Sequence, residues 1–127
     1  MPAPVTKTKL NGSWKATGTG NGYGSDPTYL SMYKIGNLRV ISFEFDLQVY
    51  ATNCKIIYFD PGIPVDYKPV GNNVFPIGIV LCNIGRKDVD IRVETVGDLT
   101  VQTRDGSNIN TGNDPLVLYP FTVFYST

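Results

Sequence analysis

Glycine and proline recur so densely along this chain that few windows are long enough to hold a helix, and the longest window free of both is Asn37–Asp60. Both residues carry a large helix penalty, so the remaining short windows favour strands and turns. Within the long window, Ile41, Phe43, Phe45, Leu47 and Val49 alternate with Ser42, Glu44, Asp46 and Gln48. That period of two is the pattern of a strand with one face buried. Leu38 and Val40 fall on the opposite parity, so a β-bulge is expected between Val40 and Ile41. The pair Gly36-Asn37 separates this strand from Tyr29–Ile35 and reads as a tight hairpin turn.

A second alternating run sets Val89, Ile91 and Val93 against Asp88, Asp90, Arg92 and Glu94. Gly97-Asp98 then precedes Leu99, Val101 and Thr103, which predicts another hairpin with Gly97 in the first turn position. Cys54–Phe59 and Ile77–Ile84 are continuous apolar runs, suited to strands covered on both faces. Pro120 interrupts the aromatic run Leu116–Tyr125, which places that strand at an edge or gives it a bulge. Trp14 is expected to anchor an early strand. Strands at such spacing, with turns between them, predict an all-β fold, an antiparallel sandwich of jelly-roll-like character. The 127 residues show no internal repeat and no linker, so residues 1–127 read as a single domain.

The chemistry available is narrow. The chain has no histidine, which excludes Ser-His-Asp and Cys-His centres and histidine metal sites. Cys54 and Cys82 lie in apolar runs and read as buried free thiols, too few for a cysteine metal site. Gly18, Gly20, Gly22 and Gly24 alternate, which matches neither phosphate-loop spacing. Asp105–Asp114 departs from a calcium loop because Ile109 occupies a ligand position. The acidic residues fall mainly on strand faces or in turns, so no hydrolase, cofactor or metal is expected. Eleven Lys and Arg balance eleven Asp and Glu, which argues against a nucleic-acid partner. No run reaches the roughly 20 apolar residues of a membrane-spanning helix, and Met1–Leu10 lacks the apolar stretch of a signal peptide.

Four segments together resemble the receptor-binding head domains of phage tail fibres and baseplates. They are Tyr33-Lys34-Ile35-Gly36-Asn37, the turn-rich CKIIYFDPGIPVDYKP of Cys54–Pro69, ETVGDLTV of Glu94–Val101, and the closing YPFTVFYST. Phe59-Asp60 departs from the leucine usual before the proline in that family. The resemblance implies a homotrimeric β-sandwich head in the virion tail, docked to other tail or baseplate proteins and recognising a host cell-surface glycan. A purely structural trimerisation module and a non-viral carbohydrate-binding module are the alternatives.

Saccharides are held by planar polar groups together with an aromatic face. The loop that follows Thr103 concentrates such groups in Arg104, Asp105, Asn108 and Asn110, and Asp66 with Tyr67 offers a carboxylate beside an aromatic ring. These six are the candidate ligand-binding residues, with the glycine-rich loop around Tyr23 as a further candidate. Truncating Arg104, Asp105 or Tyr67 is expected to weaken attachment while leaving stability intact.

Overall fold

The computed structural model describes residues 4–17, 23–24, 28–45, 47–50, 52–82, 85–110 and 116–127. Most of the glycine-rich loop, Asp46, residues 83–84 and residues 111–115 lie outside the described residues, as do the side chains of Tyr23, Leu47, Val49 and residues 77–82. The strands are β1 (Val5–Ala16), β2 (Tyr23–Gly24), β3 (Thr28–Ile35), β4 (Leu38–Phe43), β5 (Leu47–Tyr50), β6 (Ile56–Asp60), β7 (Asn73–Cys82), β8 (Gly85–Val93), β9 (Leu99–Thr103), β10 (Leu116–Leu118) and β11 (Phe121–Ser126). Among the described residues the one helical element is a short 3-10 turn, Val65–Tyr67. All the pairings are antiparallel.

A smaller sheet has the order β1-β3-β4-β11, and a larger one the order β10-β5-β2-β1-β6-β9-β8-β7. Strand β1 belongs to both. Val5–Gly12 pairs with β3, and Ser13–Ala16 with β6. Gly12 stands at the crossing, where a Cβ would press on the Asp60 carbonyl oxygen and the Phe59 ring. Only glycine lets the two backbones come this close. The pair β4/β11 continues into β5/β10 in the other sheet, bending at Glu44–Phe45 on one strand and Tyr119–Pro120 on the other. Strand β10 also runs beside β7, so the larger sheet curls into a nearly closed barrel.

The inner face follows from register. Met32, Ile41 and Val123 form one row of the smaller sheet, and Ile57, Val101, Ile91 and Phe75 form one of the larger. Trp14 is fully buried between the sheets, with edge-on contacts to Phe43 at 5.5 Å, Phe59 at 5.4 Å and Phe121 at 6.3 Å. Such edge-to-face pairs add to what burial contributes. Trp14 therefore anchors β1 as expected, and Phe43, Val89, Ile91 and Val93 are core residues. Phe45 is only partly buried and packs against Tyr29 at 4.9 Å.

Several local expectations are corrected. The run Ile41–Val49 is two strands, because the ribbon bends after Phe43 to change sheets. No bulge separates Val40 from Ile41. Register with β3 and β11 is continuous, and Arg39, not an apolar residue, continues the inner parity. The β8–β9 connection is the loop Glu94–Asp98, closed by backbone bonds from Glu94 N–H to Asp98 O (2.9 Å) and from Gly97 N–H to Glu94 O (2.8 Å). It is not a two-residue turn. Strand β6 is buried on one face, through Ile57 and Phe59, and not on both. Cys54 is a buried free thiol just before it, in an isolated bridge with Ile109. Burial pushes this thiol above its ordinary pKa.

Candidate functional site

The segment 61–72 folds under one end of the barrel. Ile63 N–H donates to Gly97 O (2.9 Å) and Thr95 N–H to Asn72 Oδ1 (2.8 Å), which pin it to the β8–β9 loop. Ile63 and Tyr67 enter the core here. Arg39 lies over the Tyr67 ring at 5.6 Å, donates from Nε to Asp66 O (2.8 Å) and from Nη1 to Gly36 O (2.7 Å). The Tyr125 hydroxyl donates to Tyr67 O (2.5 Å). Burial raises the Tyr125 phenol well above its ordinary range, because the phenolate loses solvation there.

This arrangement corrects the reading of Tyr67 as a ligand platform. Its side chain is 2% exposed and plugs the barrel end, so its aromatic face is already covered. Asp66 stays exposed and is ion-paired with Lys34, whose hydrogen bond holds its carboxyl below the ordinary value.

Arg104 and its loop sit at the far end of β9 from Gly97, so the two predicted clusters do not meet. Arg104 Nε donates to Asp90 Oδ1 (3.1 Å), and its Nη1 lies 3.6 Å from Asp88 Oδ2. Asp105 accepts from the Ser107 amide (2.9 Å) and hydroxyl (2.6 Å), an Asx turn that occupies its carboxylate locally. Asn110 Oδ1 accepts from the Asn53 amide (2.7 Å), and Ile109 pairs with Cys54, which closes the loop onto 53–54. Asn108 is exposed. Among the described residues of this loop, Arg104, Asp105 and Asn110 are thus engaged within the fold.

Between these ends, on the outer face of the larger sheet, lies a shallow cavity of about 320 Å³. Register explains its lining. Ile56 stands opposite Gln102, and Tyr58 opposite Thr100, so the side chains facing out from β6 and β9 form its floor. Asp98 continues the outward parity of β9, and Glu94 that of β8, so the two carboxylates share one wall. Thr17 closes the opposite side, with its hydroxyl donating to Ile56 O (3.1 Å) and its amide donating to the same oxygen (2.9 Å). Gln102 Nε2 donates to Thr100 Oγ1 (3.3 Å), which orients the amide on the floor. Beside Tyr58 in register, Lys15 donates to Asp60 Oδ2 (2.6 Å), and this bond raises the lysine above its ordinary pKa.

The cavity therefore offers a half-buried aromatic ring, one aliphatic patch, two hydroxyls, an amide and two carboxylates. Such a set can stack on the C–H face of a small polar ring and accept hydrogen bonds from its hydroxyls. The sequence signal for it was the alternation inside IIYFD. It was masked because Ile56 and Tyr58 on the outer face are as apolar as Ile57 and Phe59 on the inner one.

No family model matches the sequence, and no curated protein matches it. Among solved structures the chain is similar to the reovirus attachment protein sigma1, crystallised in complex with α-2,3-sialyllactose. The TM-score is 0.55 and the identity 15%, over 96% of this chain. The match spans 66% of the crystallised sigma1 chain. At this identity the likeness establishes a shared all-β fold.

Proposed function

We infer that the chain is the receptor-binding head of a viral attachment fibre, and that it holds a host cell-surface saccharide in the cavity over β6 and β9. The observation that carries this reading is the lining itself: the Tyr58 ring beside Thr100, Gln102 and paired carboxylates, in an open depression on a rigid sheet. The fold shared with a sialyllactose-bound attachment protein supports it. Resemblance in sequence to phage tail-fibre and baseplate heads supports a phage virion tail as the location. In this reading the head binds its saccharide without hydrolysing it, and turnover of the glycan by the paired carboxylates Glu94 and Asp98 would refute that part of it.

The head works as a homotrimer. Val5, Ile35, Leu38, Tyr33, Val40 and Phe124 occupy adjacent outward positions on the smaller sheet, and Val5 and Phe124 are 59% and 67% exposed. A contiguous apolar face of this kind is expected to be covered in the assembled protein. The parent should sediment as a trimer at micromolar concentration and Phe124→Asp as a monomer. A monomeric parent would refute the assembly.

Saccharide binding is tested by Tyr58→Ala. It should abolish attachment to host cells or isolated wall glycan with little loss of stability, since Tyr58 lies on the solvent side of β6. Undiminished attachment by this variant would sink the site.

A further inference from the structure

Resting on the reading of this cavity as a saccharide site, we propose that it selects uncharged or amino-bearing sugars and rejects those carrying a carboxylate, such as sialic acid. The charge inventory around the cavity is one-sided. Among the described residues, Glu94 and Asp98 both line it and no lysine or arginine does. Lys68 lays its side chain against Gly97, in the loop between the two acidic residues, without entering the lining, and two other cations nearby are ion-paired. Lys15 is bound to Asp60, and Arg104 to Asp90 and Asp88. Arg92 stands opposite Thr100 on β8, one strand out from the floor, and is not in the lining.

Carboxylate ligands are ordinarily met by a guanidinium, an ammonium or a cluster of amide donors. Here the fixed groups are mainly acceptors. Two carboxylates provide strong acceptor sites for vicinal sugar hydroxyls, and one ring face stacks against Tyr58. A ligand carboxylate brought within hydrogen-bonding range would face both acidic groups. In a largely hydrated site each such like-charge contact weakens binding by about fivefold. The two together make a penalty on the order of tenfold or more. A protonated amine on the sugar gains by the same amount. The neighbour crystallised with sialyllactose shares the barrel but need not share this charge pattern, since sites on one fold are set by their own side chains.

Two matched pairs of probes separate the possibilities: lactose against 3′-sialyllactose, and glucose against glucosamine. Each is titrated into the intact chain while ring resonances of Tyr58 are followed by NMR. The expected result is that neutral sugars shift Tyr58, that glucosamine binds about tenfold more tightly than glucose at low salt, and that sialyllactose binds at least tenfold more weakly than lactose. The double substitution Glu94→Gln with Asp98→Asn keeps the shape of the wall, removes its charge and replaces one acceptor oxygen of each group by an N–H donor. It should weaken lactose binding itself, through loss of two charge-assisted acceptors, and bring the affinity ratio within each pair of probes to about one. Sialyllactose binding equal to or tighter than lactose overturns the selectivity while leaving the saccharide site standing. Failure of every probe to shift Tyr58 overturns the site and the selectivity with it. Unchanged preferences in the double variant overturn the assignment to these two carboxylates.

Discussion

Replacing Gly12 by alanine tests the crossing of β1 between the two sheets, on which the position of the cavity depends. The added methyl would be driven against the Asp60 carbonyl oxygen and would lie 2.6 Å from Phe59 Cζ and 2.8 Å from its Cε2. The carbonyl belongs to the β1–β6 ladder and cannot rotate away. Phe59 is wedged edge-on against Trp14 at 5.4 Å and is 2% exposed. Forcing a methyl into such a site costs about 3 kcal/mol, the upper end of the overpacking range. The lost flexibility of the unfolded chain returns about 0.5–1 kcal/mol. The net destabilisation is therefore about 2 kcal/mol, or roughly a 30-fold shift in the folding equilibrium. With a urea slope of about 1.5 kcal/mol per molar, the midpoint should fall by about 1.3 M. The only tryptophan in the chain lies at the core, so its fluorescence reports the transition directly. Gly71→Ala is the control, because a Cβ there meets nothing within 4 Å. It should be neutral or stabilising by a few tenths of a kcal/mol. If the two variants unfold within about 0.5 kcal/mol of each other, β1 does not cross at Gly12 in contact with β6.

Two further outcomes concern groups whose role only the packing reveals. Arg104→Ala should destabilise the protein by about 1–3 kcal/mol, because it strips the guanidinium from Asp90, a carboxylate 8% exposed in the sheet. An unchanged melting temperature would restore the view of Arg104 as a free surface residue. Tyr125 has its folded pKa raised, so its contribution is fully present below the unfolded value of 10.0 and is lost as pH rises above it. The parent should lose about 1.4 kcal/mol per pH unit more steeply above pH 10 than Tyr125→Phe does. The variant should also be less stable by about 1 kcal/mol at neutral pH, having lost the bond to Tyr67 O. Parallel alkaline slopes in the two proteins would show that the Tyr125 phenol is not held neutral.

How much was legible in the sequence differs sharply between strands and sites. The glycine and proline spacing excluded long helices, and the period of two located β4, β8 and β9, because alternation is a local consequence of the extended backbone. The Gly36-Asn37 hairpin is equally local, with Gly36 taking a φ of +58° that other residues adopt at a cost. Phe43, Val89, Ile91 and Val93 were identifiable as core for the same reason.

Tertiary structure decided the rest. Which strand pairs with which depends on contacts far apart in the chain, and nothing within Ile41–Val49 announces that its two halves join different sheets. Arg39 looks like a surface charge in the sequence, yet the carbonyls of Gly36, Leu38 and Asp66 converge on it and allow it to be buried at the barrel end. Tyr67 was read as an exposed ring because it stands in a polar, proline-rich loop. The loop folds under the barrel and turns that ring inward. The cavity was invisible for a related reason. Its floor comes from β6 and β9 and its walls from the ends of β1 and β8, so Thr17, Tyr58, Glu94 and Gln102 become neighbours only through sheet register. A strand's own residues state which of them point the same way, whereas the identity of the neighbour on the next strand is set by the whole fold.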